Sequence, residues 1–330
     1  MTRRKKVLLN ILISLLISVV IYFGIASVMI VVGKPNKSTV DQQNLNFKEL
    51  YIDYSSLPKL QSFDARDGKE LYYRYYPAQS NNTVILIHGS GWHSQYFLPL
   101  AEFISSENLA QVYTPDLRGH GTNPDRRGDV DYIEQLNDDL ADFVAIIKEK
   151  NPKTFIVMGG HSSGGGLAIR FAGSKYGDQV NAYLLLSPFL KYNAPTVRPN
   201  SGGWAVPYTG RIAGLTMLNN VGISWFNHLT VIEFNMPEEA RDGTETLSYT
   251  FRMNTAYAPR NYKKDLSAIY QPVLVVAGTE DESFYANQFG PVISQYTEAR
   301  IELLEGVTHM GVVIGEEIHP IVWEWLKGLN

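Results

Sequence analysis

Six short apolar runs punctuate the chain from residue 83 onward: Thr83–His88, Ala110–Pro115, Thr154–Gly159, Ala182–Ser187, Pro272–Gly278 and Arg300–Glu305. Several are almost continuously apolar, as suits strands covered on both faces by helices. Between them lie helical patterns. In Val130–Lys150, Ile133, Leu136, Leu140, Phe143, Val144 and Ile147 share one face, while Asp138, Asp139 and Asp142 lie off it. Such alternation over units of ~30 residues predicts an open, mostly parallel sheet flanked by helices. Two earlier runs, near Leu60–Phe63 and Leu71–Tyr76, alternate more and are parted by Asp67-Gly68. They predict an antiparallel hairpin at the sheet's start.

One stretch breaks the rhythm. Residues 188–265 hold Pro188, Pro195, Pro199, Pro207, Pro237 and Pro259, and are rich in aromatics: Trp204, Tyr208, Trp225, Phe226, Phe234, Tyr249 and Phe251. This is too long for a bare loop, so it reads as a cap inserted into a domain spanning 59–330. Most of its aromatics should form local core, with a few facing a site below.

The front of the chain obeys different rules. Val7 to Val32 is 26 residues without charge or proline. A helix of that length reaches ~39 Å, more than the hydrocarbon core of ~30 Å. Arg3, Arg4, Lys5 and Lys6 precede it, and only Lys34 and Lys37 follow closely. That bias keeps the N-terminus in the cytoplasm and sends the rest across. A cleaved signal peptide, ending near Gly24-Ile25-Ala26, is the rival, but Val28–Val32 continues the apolar run past that point. Residues 1–33 thus read as an uncleaved single-pass anchor in the bilayer through residues 7–32. Residues 34–58 read as a polar tether to an extracytoplasmic body.

Charge supports two compartments. Residues 1–34 carry five Lys+Arg and no acid, leaving 24 bases against 33 acids beyond them. An acidic body argues against nucleic acid as partner. The absence of cysteine excludes disulfides, Cys-ligated metals and a Cys nucleophile.

The chemistry centres on Gly160-His161-Ser162-Ser163-Gly164, which follows the run Thr154–Gly159 and precedes a helical pattern. In strand–turn–helix context, G-x-S-x-G holds its central serine on a sharp turn at the sheet edge. The helix N-terminus also favours developing negative charge. A serine hydroxyl needs a base, and the base needs an orienting acid, in the chain order Ser, acid, His. Asp281 follows the strand ending at Gly278, and His309 follows the last strand. Glu280 and Glu282 are the acids that compete with Asp281. His319, beside Pro320, is a poor base candidate. An oxyanion needs two N–H donors: Ser163, next to the nucleophile, and Ser90 in His88-Gly89-Ser90-Gly91 after an earlier strand. His88 reads as a brace for that loop.

With His88–Ser94, Asp116–Gly121, Gly160–Gly164, Asp281 and His309 in this order, the chain resembles the α/β-hydrolase fold superfamily. It is similar within it to the monoacylglycerol lipase and lysophospholipase-like branch, which also groups with proline-releasing peptidases. The resemblance covers about residues 60–330. It implies a serine hydrolase with this triad, in a branch whose members cleave esters, thioesters and peptides, and makes Asp116–Gly121 a structural turn.

The reaction expected is acyl transfer through Ser162, His309 and Asp281, with no metal and no organic cofactor. Glu134, Asp138 and Asp142 recur every four residues, but without a convergent histidine they read as a solvated face. A small-molecule ester or lipid, such as a monoacylglycerol or lysophospholipid, suits an aromatic cap near a lipid surface. A peptidase or amidase is the alternative, with Glu233, Glu238 and Glu239 as candidates for an amino-terminus pocket. A catalytically silent binding module is a third reading.

Overall fold

The computed structural model describes residues 2–33, 45–122 and 124–329. A hairpin, β1 (Gln61–Asp64) and β2 (Glu70–Tyr76), is followed by β3 (Asn82–Ile87), β4 (Gln111–Asp116), β5 (Phe155–His161) and β6 (Ala182–Leu186). A small antiparallel sheet then intervenes: β7 (Ala205–Pro207), β8 (Thr230–Phe234) and β9 (Ser248–Thr250). Finally β10 (Val273–Gly278) and β11 (Arg300–Leu304) rejoin the main sheet, whose order is β1-β2-β4-β3-β5-β6-β10-β11.

Every pairing from β4 to β11 in that order is parallel, and only β1–β2 and β2–β4 are antiparallel. The expected hairpin and mostly parallel sheet are therefore both present. The apolar runs are buried for the reason their composition gave. All six residues of β10 are buried, as are all five of β6, because a parallel sheet takes helices on both faces. β2, next to the edge, is only partly buried, with Glu70 exposed and Tyr72 and Tyr75 half-buried.

The flanking helices, α2 (Leu98–Ser106) among them, are amphipathic. In α3 (Gln135–Lys150), Phe143 packs on Phe63, Tyr73 and Tyr113 at centroid distances of 4.7, 5.0 and 5.8 Å. Its acidic residues are not simply solvated. Asp142 and Asp138 pair with Arg66, and the nearly buried Asp139 accepts two hydrogen bonds from Arg118 at 2.8 Å. Sequence spacing cannot show such pairing, because both arginines arrive from distant loops.

The N-terminal helix α1 runs from Arg3 to Val32. Residues 3–21 are exposed throughout, but the last third is docked. It packs antiparallel on α5 (Thr209–Asn220), which lies between β7 and β8. The Tyr22 hydroxyl donates to Met217 O at 2.6 Å, and Arg211 Nε donates to Ile30 O at 3.1 Å. Close approach rests on small residues. A Cβ on Gly214 would lie 2.7 Å from Ala26 O, and one on Gly210 would lie 3.0 Å from Gly33 Cα.

Residues 34–44, the first part of the expected tether, lie outside the described residues. From Leu45 onward the segment departs from that expectation. Leu45, Phe47 and Leu50 are buried against the body of the fold around a 3₁₀ turn at Phe47–Leu50. Three apolar residues in a polar stretch show no periodicity. What buries them is a cavity formed by distant loops.

Candidate active site

Ser162 stands between β5 and α4 (Ser163–Ala172), with φ 55° and ψ −120°. Positive φ is uncommon for a serine, and here it is enforced by crowding at the strand–helix junction. A Cβ on Gly160 would come within 2.3 Å of Gly164 C, and one on Gly164 within 2.1 Å of Ile87 O. Only glycine permits that approach, so strand and helix can close tightly and push the serine outward. The turn is pinned from both sides: Ser162 N donates to Leu186 O at 2.9 Å and Phe189 N to Ser162 O at 2.8 Å.

Asp281 and His309 come from the loops after β10 and β11. His309 Nδ1 lies 2.8 Å from Asp281 Oδ2, with both residues almost wholly buried. Asp281 Oδ1 accepts from the Ser283 and Phe284 amides, each at 2.8 Å, which fixes the carboxylate. Asp281 therefore holds the imidazole, while Glu282 takes the His309 amide at 2.9 Å. Burial drives the His309 pKa down, but the charge and hydrogen bond of Asp281, helped by Glu282 and Glu49, outweigh it and raise the value. His319 is elsewhere, stacked on Phe103 at 3.9 Å.

Ser162, His309 and Ser90 line one cavity. The loop after β3 lies directly over the serine, since a Cβ on Gly89 would be 3.2 Å from Ser162 Cβ. The amides flanking Ser90 are both engaged: Gly89 N donates to Tyr96 Oη at 2.7 Å and Gly91 N to Tyr249 Oη at 3.0 Å. Ser163 is the first residue of α4, where a helix offers its N–H no partner one turn back.

His88 braces this loop. It is fully buried, and burial pushes its pKa down to about 4, so the ring is neutral. Leu117 N donates to Nε2 at 3.1 Å, which leaves Nδ1–H to donate to Gly89 O at 2.8 Å.

Two participants carried no separate sequence signal. The Tyr96 hydroxyl, which accepts from Gly89, lies 3.1 Å from His161 Nδ1, and His161 Nε2 lies 3.0 Å from His309 O. Burial holds the His161 pKa well below the ordinary range, so a neutral ring donates at Nε2 and accepts at Nδ1. Gly89, Tyr96, His161 and His309 thus form one chain linking the loop over Ser162 to the histidine loop. His161 is the variable position of the G-x-S-x-G motif, and Tyr96 sits in a stretch without any motif.

The insert between β6 and β10 closes over the same region. Trp204 Nε1 donates to Ser90 Oγ at 3.2 Å, Thr246 N donates to Gly91 O at 2.9 Å, and Arg198 Nε donates to Asp281 O at 2.9 Å. Apart from Gly89, Tyr96 and His161, the remaining lining is apolar, and none of Glu233, Glu238 or Glu239 belongs to it. Among the described residues, no group of three or more His, Asp or Glu is placed to hold a metal ion.

A family model described as Hydrolase_4, serine aminopeptidase S33, matches residues 78–310. The monoglyceride lipase of Saccharomyces cerevisiae is 26% identical over 259 residues, covering 70% of this chain and 79% of that protein. Human monoglyceride lipase is 30% identical over 144 residues, which cover 43% of this chain and 46% of the human protein. In three dimensions the chain is similar to a soluble variant of the yeast monoglyceride lipase solved with a substrate analog. That superposition has a TM-score of 0.63 at 18% identity and covers 90% of this chain and 99% of that one.

Proposed function

The chain belongs to the Hydrolase_4 family of α/β-hydrolases, in its monoacylglycerol lipase-like branch, and from that premise we propose that it is a membrane-anchored serine hydrolase of carboxylic esters. The observation that carries this reading is the strained Ser162 beside Gly89, sharing an apolar cavity with an Asp281-held His309.

With Nδ1–H committed to Asp281, His309 Nε2 is the base. Ser162 Oγ attacks the ester carbonyl as its proton passes to Nε2, and the Ser90 and Ser163 amides stabilise the oxyanion. Collapse breaks the bond to the alcohol, which leaves with the proton from Nε2. Water then attacks the acyl-serine, delivers a proton to Nε2, and releases the acid and Ser162.

Apolar lining favours an acyl chain over a charged amino terminus, so we place the substrate among lipid-like esters such as monoacylglycerols or lysophospholipids. An aminopeptidase would gain from an acidic lining, which this cavity lacks. Ser162→Ala should lower ester turnover by roughly 10⁴- to 10⁶-fold and abolish labelling by a fluorophosphonate. Retained turnover in that variant, or cleavage of aminoacyl-arylamides but of no ester, would overturn the reading.

The anchor reading rests on α1, the one helix among those described that is long and apolar enough to cross a bilayer. Residues 7–25 alone reach ~28 Å, close to a hydrocarbon thickness of ~30 Å. The docked residues 26–33 and the N-terminal part of α5 would then stand at the outer interface, with Tyr22 and Met217 at the outer edge of the span. Trp225, 79% exposed, and Phe226 follow α5 and suit an interfacial aromatic belt.

A further inference from the structure

We infer that residues 45–50, upstream of the family-matched segment, form the outer wall of the acyl pocket, with Phe47 limiting the length of acyl chain that fits. The inference rests on the esterase reading of Ser162 and names what bounds its substrate site.

Four observations support it. First, Leu45, Phe47 and Leu50 line the same cavity as Ser162 and His309. Second, all three are nearly buried, so they belong to the pocket's interior surface. Third, the segment is tied to the loops that carry the acid and the base. Asn46 N donates to Glu282 Oε1 at 3.0 Å, and Thr308 Oγ1 donates to Glu49 Oε2 at 2.7 Å. The same Glu282 takes the His309 amide, so the wall is held by the neighbours of Asp281 and His309.

Fourth, the wall leaves little room. The cavity holds about 30 Å³, against roughly 300–1,000 Å³ for a ligand pocket. Phe47 packs on Trp204 at 5.3 Å, and Trp204 stacks on Phe234 at 5.0 Å. Trp204 is itself bonded to Ser90. Phe47 and Phe234 therefore pack against Trp204, the ring bonded to the loop over Ser162, and Phe47 comes from the segment after α1. A short acyl group reaches Ser162 with the wall in place, whereas a long one must displace Phe47.

The test uses the full-length chain in detergent and two alkyl fluorophosphonates, one butyl and one dodecyl, with Ser162 labelling rates followed by mass spectrometry. Phe47→Ala should raise the dodecyl-to-butyl rate ratio by about tenfold over wild type, the scale on which apolar pockets discriminate chain size. Phe47→Leu, which keeps the wall apolar, should give a smaller rise and decides the matter if Phe47→Ala fails to fold. An unchanged ratio with normal reactivity overturns the wall and leaves the esterase reading standing. A fall in the ratio also overturns it, since Phe47 would then grip the chain instead of bounding it. If neither wild type nor variant reacts with even the butyl probe, the assignment of Ser162 beneath the inference fails.

Discussion

His309 is held by opposed influences, and their balance fixes how the site should respond to pH. Burial disfavours its charged form, but Asp281, Glu282 and Glu49 together raise its pKa above the ordinary 6.5. A protonated imidazole cannot accept the Ser162 proton, so kcat/KM should fall as pH drops through that raised value. The stability consequence has the opposite slope. The charged pair contributes fully below the unfolded pKa near 6.5, and that contribution is lost as pH rises through the folded value. Asp281→Asn removes the main opposing charge, so the acid limb should move to lower pH while kcat falls by about 10⁴-fold. A pH–rate profile of ester hydrolysis checks both, and an unmoved limb would show that Asp281 does not set the base. At this scale the sequence was legible where a residue sits in a motif. Ser162 announces itself through Gly160 and Gly164. Tyr96 and Glu282 do not, because their roles come from contacts with residues far along the chain.

Among the elements, α1 shows what length and composition can and cannot reveal. An uncharged run of 26 residues is readable as a helix able to span a bilayer. That its last third would lie against α5 is not readable, because Gly210 and Gly214 resemble the glycines of any loop-rich segment. Of the polar residues Asn10, Ser14, Ser18 and Tyr22, which recur every four positions, Tyr22 is the one bonded to α5, while Ser18 bonds back to Ser14 O. Gly214→Leu should destabilise the chain by about 1–3 kcal/mol, because its side chain must displace Ala26 and Ile30. Gly24→Leu, on the partner helix α1 with nothing within 4 Å of its Cβ, should leave stability unchanged. Thermal unfolding in detergent compares the two, and equal melting temperatures would show that the contact contributes nothing.

For the whole molecule, the proposal is a basic cytoplasmic end, one span and a catalytic body outside. A chain without cysteine is a clean background for testing it. Tyr192 is 77% exposed on the body, and Arg4 is exposed before the span. Tyr192→Cys should react with a membrane-impermeant maleimide on intact cells, and Arg4→Cys only after permeabilisation. The reverse pattern would invert the topology. Organisation above the strand is where sequence reading weakened. The insert's aromatics sort by place: Trp204, Phe234 and Tyr249 are buried above the site, Tyr208 and Phe251 are buried elsewhere, and Trp225 and Phe226 are exposed. Composition treats them alike, and only their positions in the folded insert separate them.

The sequence by itself determined what depends on neighbours along the chain. It specified the parallel sheet through near-continuous apolar runs, the turn that strains Ser162 through its glycines, and the apolar length of α1. These are local consequences of hydrophobic period, steric freedom and rise per residue. The tertiary structure alone decided which distant groups meet. It brought Asp281 onto His309, threaded Tyr96 and His161 between two loops, and folded Leu45, Phe47 and Leu50 over the pocket from a stretch that reads as a tether. Such meetings are set by loops crossing one sheet edge, and loop paths follow from packing across the whole molecule, not from local pattern.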